Sequence, residues 1–158
     1  MTTNHQQTYS NLGETPFPIA YDYIYGQIEK SFKRDGHVKA SLMGILFRDG
    51  QPNSATVMPI KSIEEVQINR PKMMNMFHMV VHISEAWSAP SNIPGVAPSQ
   101  HPDAQEVVAV ILYTTDAVCS AMCPINGKSK SIIKGELITL SGLGGNLKWD
   151  IPGSTAAS

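Results

Sequence analysis

The sequence predicts a single α+β domain built on an antiparallel sheet. Three observations carry this: one segment repeats apolar residues at three-to-four spacing, several later runs have the length and alternation of strands, and the links between them are short and rich in turn formers. The order is α-β-β-α-β-β-β-β, which gives about five to six strands with one or two helices packed on one face. At 158 residues, the chain is the length of one domain and can bury one sizeable core. No internal repeat is visible.

Each element follows from a local pattern. Residues 1–18 are rich in Thr, Asn, Gln, Ser and Pro without any period and are expected to be a flexible tail; residues 150–158 are expected to be another, with the domain over 19–149. Tyr21, Ile24, Ile28 and Phe32 share one face of a helix over 20–35, and Gly36 supplies its stop. From His37 the period changes. Val38, Ala40, Leu42 and Leu46 alternate with Met43, Ile45 and Phe47, so both faces are apolar, as in a central strand. Arg48 to Asn53 holds Asp-Gly and a proline and reads as a turn, after which 55–60 returns as a short partner strand. Ser62 and Glu65 form a capping box for a second helix, with Ile63, Val66 and Met73 or Met74 facing inward and Pro71 limiting its length.

The second half reads as strands. Residues 76–87 alternate, with Phe77, Met79, Val81 and Ile83 on one buried face and His78, Val80, His82, Ser84 and Ala86 on the other. Pro90, Pro94, Gly95, Pro98 and Pro102 make 88–103 a long loop. Residues 107–113, 118–125 and 131–140 are three further strands, joined through a turn at Thr114 to Asp116 and a hairpin at Asn126-Gly127.

Composition narrows the function classes. A net charge of -1 supplies no general field toward nucleic acid or anionic lipid, so a protein partner is expected in preference to nucleic acid. No apolar run approaches the roughly 18 residues needed to cross a bilayer, and the first stretch has no basic-then-apolar signal pattern, so a cytoplasmic protein without membrane contact is expected. Cys119 and Cys123 lie three residues apart, the wrong spacing for a zinc knuckle. On a strand their α-carbons are about 13 Å apart, beyond the roughly 7 Å limit of a disulfide. They are expected to be reduced and buried.

Few residues are placed to carry chemistry. His78 and His82 would chelate a metal only on a helix; on a strand they stand about 13 Å apart, too far for bonds of about 2.1 Å. No cofactor and no metal are implied. The ends of the long loop are more informative, because antiparallel pairing of the flanking strands brings Glu85 and Trp87 near His101, Asp103 and Glu106. Such a group could act in acid-base chemistry or hold a metal through oxygen ligands. The same residues also suit a plainer task, with Glu85 accepting backbone amides of the loop, Trp87 capping the core, and His-Pro-Asp forming a rigid turn. Anchoring the loop is the favoured reading, since it needs no pocket. Gly142 to Gly145 lacks the context of a phosphate loop, Lys33, Arg34, Lys39 and Arg48 form only a loose basic cluster, and the methionines at 73–76 suit gap filling.

The run Ser84-Glu85-Ala86-Trp87, a loop, then Pro98-Ser99-Gln100-His101-Pro102-Asp103, Glu106 and an apolar strand resembles a group of small, uncharacterised bacterial and phage proteins. The resemblance implies no activity. It marks Glu85, Trp87, Ser99, His101, Asp103 and Glu106 as positions of any shared site, and Ala104 stands where the group would carry Arg. The expected function is a non-enzymatic accessory protein that binds another macromolecule through loop 88–103, with Trp87, Ser99, His101 and Asp103 as contacts. An enzyme or ligand-binding domain using Glu85, His101, Asp103 and Glu106 is the alternative, and self-association through sheet edges, giving a homo-oligomer, is the third.

Overall fold

Helix α1 (Pro16–Asp35) opens the residues that the computed structural model describes, which are 16–89, 94–126, 129 and 131–140. Pro16 and Pro18 sit in its first turn, where a missing N–H costs nothing. Phe17 extends the expected stripe by one turn and is 1% exposed. Residues 16–18 thus belong to the helix and not to a tail; the rest of both expected tails lies outside the described residues. At the other end Gly36 has φ 74° and donates its N–H to the Phe32 carbonyl at 2.8 Å, the left-handed stop expected there.

The expected fold class and element order hold. Strands β1 (Ser41–Arg48) and β2 (Gln51–Pro59), helix α2 (Ile63–Met74), and strands β3 (Met79–Ser88), β4 (Gln105–Tyr113), β5 (Val118–Asn126), β6 (Ser131–Ile132) and β7 (Ile138–Thr139) follow in sequence. All pairings are antiparallel, in the order β2-β1-β3-β4-β5, with both β6 and β7 on the outer side of β5. The first hairpin turns on Asp49 and Gly50 alone, both at positive φ (53° and 78°), as a two-residue turn matched to strand twist. Pro52 and Asn53, expected in the turn, therefore open β2, and the register shifts where Pro52 faces Phe47. Pro52 is tolerated because β2 is an edge strand.

The two helices take opposite faces of the sheet, not the single face expected, because Leu42 and Val80 offer a second apolar face to α2. The stripe of α1 packs against Met43, Ile45, Met79, Val81, Ile83, Val108, Val110 and Leu112. Val66 and Met73 of α2 pack with Leu42 and Val80, which point the other way. Ser62 caps α2 by accepting from the Glu65 N–H, and Arg70 lies 4.6 Å above the Tyr113 ring, tying the helix to β4. Strand β3 is consequently buried on both faces, not one, with His82 and Ser84 at 0% and 1% exposure. Phe77 also departs from the expected face. The backbone still winds from the end of α2 there, with the Phe77 N–H bonded to the Met73 carbonyl at 2.9 Å, so strand alternation starts only at Met79. Its ring instead covers Gly44, where a β-carbon would stand 2.3 Å from the Phe77 ring.

The last expected strand, 131–140, is broken into β6 and β7. Their registers on β5 differ by one residue, so Ile133 to Leu137 form a bulge centred near Gly135. The backbone there comes so close to β5 that only glycine fits: a β-carbon at Gly135 would fall 2.0 Å from the Met122 carbonyl oxygen. Tyr21 reaches across from α1 and donates its hydroxyl to the Gly135 carbonyl at 2.7 Å, while Tyr25 donates to the Ile132 carbonyl at 3.0 Å. Lys134 pairs with Asp22 and lies over both tyrosine rings. Gly135→Ala is expected to cost about 1–3 kcal/mol through overpacking against backbone, seen as a lower urea midpoint with an unchanged slope. Gly26→Ala, where the added carbon meets nothing within 4 Å, should instead be neutral or gain up to about 1 kcal/mol from helix propensity.

Candidate functional site

Pairing of β3 with β4 fixes both ends of the long loop. Ser88 stands opposite Gln105, Trp87 opposite Glu106, and Glu85 opposite Val108, so Glu85, Trp87 and Glu106 share the sheet face that carries α1. Their side chains nevertheless have separate surroundings. The Glu85 carboxylate accepts the Val38 N–H at 3.0 Å, tying the connection between α1 and β1 to the central strand. It serves a backbone amide, as expected of an anchor, but one outside the loop it was expected to hold. Trp87 is half-buried beside an exposed Glu106.

His101 is buried at the end of a 3₁₀ turn over Pro98–Gln100. Its Nδ1 accepts the Asp103 N–H at 2.9 Å, which assigns the proton of the neutral ring to Nε2. The His101 N–H donates to the Pro98 carbonyl at 3.2 Å, and the Ala104 N–H to the His101 carbonyl at 3.1 Å. His-Pro-Asp is thus a closed turn. Asp103 and Ser99 themselves point to the surface. The sequence-predicted residues therefore divide into an anchor at Glu85, a turn at His101 to Asp103, and a rim pair of Trp87 and Glu106. Among the described residues no three His, Cys, Asp or Glu side chains are placed to hold a metal ion.

The histidines outside the loop serve the framework. His78 Nδ1 accepts the Phe47 N–H at 2.8 Å just before β3 begins. His82 lies inside, and burial holds its pKa down at about 4, so the imidazole is neutral at physiological pH. Neither cysteine forms a disulfide, and both are buried on the α1 side of β5. The Cys123 sulfur lies 3.3 Å from the Tyr21 hydroxyl, and burial, then Cys123 itself, push the Tyr21 pKa far above that of an ordinary phenol.

The motif-based reading missed one feature. A cleft of about 440 Å³ lies between α1 and β2, lined by Tyr23, Gln27, Arg34, Lys39, Ala55 and Val57 among others. None of the loop residues lines it. Of the loose basic cluster, Arg34 and Lys39 reach the cleft, whereas Arg48 lies at the opposite end of β1. Its sequence signal is β2 itself: nine residues without a charge, ending in proline. Among the described residues no helix is long and apolar enough to cross a membrane. In comparisons with known proteins the chain matches no family model, no curated protein and no solved structure.

Two outcomes follow for the buried imidazoles. His82 binds its proton at about pH 4 when folded and near 6.5 when unfolded. The unfolded chain takes up that proton first, so stability is fully present above pH 6.5 and falls as pH drops, by roughly 3 kcal/mol on reaching the folded value. His82→Gln should lose this part of the pH slope in urea titrations between pH 7 and 4, whatever constant offset the substitution adds. His101→Ala, by removing the ring acceptor, should speed hydrogen exchange at the Asp103 amide by about tenfold while leaving the β3 and β4 amides protected.

Proposed function

We propose that the protein is a non-enzymatic accessory protein of the cytoplasm that binds another protein through the loop between β3 and β4 and the adjoining sheet surface. One observation carries the reading. The two groups best suited to acid-base work, Glu85 and His101, both accept backbone N–H groups, which fits holding a surface better than turning over a substrate. Pro94, Val96, Ser99, Gln100 and Asp103 are exposed on a loop whose ends are fixed by the β3–β4 ladder. Trp87 at its base supplies the aromatic surface from which interfaces draw much of their energy. Two reduced thiols are in keeping with a cytoplasmic setting. A bacterial or phage origin is supported by the likeness of the motif from Ser84 to Glu106.

The test is affinity capture of tagged protein from its own cells, beside two variants: Trp87→Ala, and a loop with residues 94–100 replaced by Gly and Ser. A stoichiometric protein partner is expected with the wild type and should be lost, by about tenfold or more, with both variants while their thermal melts remain cooperative. Equal capture by all three proteins, or a wild type that retains no stoichiometric partner, would overturn the reading.

A further inference from the structure

At the margin of the sheet away from the loop's contacts, no strand among the described residues pairs with the outer side of β2. The Ile60 N–H donates to the Ala40 carbonyl at 3.1 Å, and this pair continues the β1–β2 register, in which Leu42 faces Met58 and Gly44 faces Thr56. In an antiparallel ladder the bonded pairs alternate. Met58 and Thr56 therefore spend their backbone groups on β1, while Ala55 and Val57 aim N–H and C=O outward, away from the sheet. The window is bounded: Pro59 offers no N–H at one end, and at the other the register shifts at Pro52. Val57 is 55% exposed, and no charged side chain lies on β2 to repel an incoming strand.

Beside this edge runs the cleft. Ala55 and Val57 form one wall and Tyr23 and Gln27 of α1 the other, so an added strand would place alternate side chains between helix and sheet. The end of the cleft near Pro59 carries Arg34, His37 and Lys39. Asp35, the one carboxylate lining the cleft, is already paired with Arg34 at 3.0 Å, and Lys39 takes part in neither of the ion pairs among the described residues. That surplus of positive charge selects among occupants. A second copy would present another uncharged β2, whereas a strand bearing a carboxylate completes the charge as well as the ladder.

We propose that the cleft between α1 and β2 is a peptide-binding groove that accepts an extended acidic segment of a partner protein as an added strand. Backbone pairing to Ala55 and Val57 supplies affinity. A small or β-branched side chain enters the cleft, and an Asp or Glu near the Pro59 end meets Lys39. This surface is distinct from the loop, and its test does not depend on the loop binding anything.

The experiment selects a displayed library of random linear peptides on the purified full chain and measures the enriched sequences as free peptides. Peptides that alternate β-branched residues with an acidic residue are expected to enrich. Val57→Pro removes an outward N–H without touching the β1 ladder and should weaken them by about tenfold; Ala55→Pro does the same one pair along. Lys39→Glu should weaken them by about fivefold. In hydrogen exchange, the Ala55 and Val57 amides should be open in the free protein and protected in the complex. Four outcomes overturn the proposal: no enrichment, enrichment without acidic preference, binding unchanged by both proline variants, or protection of the two amides in the free protein. Such protection would assign the edge to a second copy if it grows with concentration, and to this chain's own termini if it does not.

Discussion

The hydrogen bond from Tyr21 to the Gly135 carbonyl closes the fold from α1 to the ribbon of β6 and β7, across 114 residues of sequence. The bulge at Gly135 turns a carbonyl out of the β5 ladder, and a carbonyl without an acceptor's partner costs about 1–3 kcal/mol when shielded from water. Tyr21 answers it only because α1 lies at one rotation and one height, which its stripe from Phe17 to Phe32 dictates. Burial raises the pKa of the phenol, so it remains a donor even in alkaline solution. Cys123, beneath both groups, accepts the Gly135 N–H at 3.5 Å through its sulfur. Helix register, bulge and the position of β6 and β7 are thus a single solution, and none of the three could shift alone.

The centre of the sheet imposes a second constraint. With α1 on one face and α2 on the other, the buried stretch of β3 from Met79 to Ser84 must be apolar or neutral, and His82 meets this by giving up its charge. The same double burial leaves β3 and β4 in an uninterrupted nine-residue register from Val80 to Ser88. A loop leaving such a ladder has ends that cannot wander, which is why a short turn centred on His101 suffices to organise its returning arm.

What was legible in the sequence was whatever has a local period. The stripe of α1, the two-sided β1, the Ser62 cap and the Thr114 turn are each set by residues within a few positions of one another, and each stands where it was expected. The departures all come from distant or competing groups. Phe17 was hidden by flanking prolines that look like tail but suit a first turn. Phe77 kept the strand period in sequence while its backbone was still capping α2. The need for glycine at 135 leaves no local mark, because what excludes a side chain there is the Met122 carbonyl on another strand. At the loop, Glu85 was recognisable as an anchor, yet Val38, 47 positions away, could not be named as its partner.

Alternation also tells which residues of a strand share a face without telling which helix will cover it, so the opposite placement of α1 and α2 had to come from the fold. That placement decides how the two sheet edges are treated. On the β5 side the bulge, Lys134 and the tyrosines of α1 break the ribbon into two-residue pieces too short to template another chain. On the β2 side α1 approaches the edge strand but leaves a cleft beside it, and α2 is engaged on the far face with Leu42 and Val80. Proline at each end of β2 limits what can pair there without closing the middle. A chain this weakly charged gains little protection from repulsion along its edges, so the unequal treatment of the two is a physical distinction between a margin that has been sealed and one that is held to a narrow window.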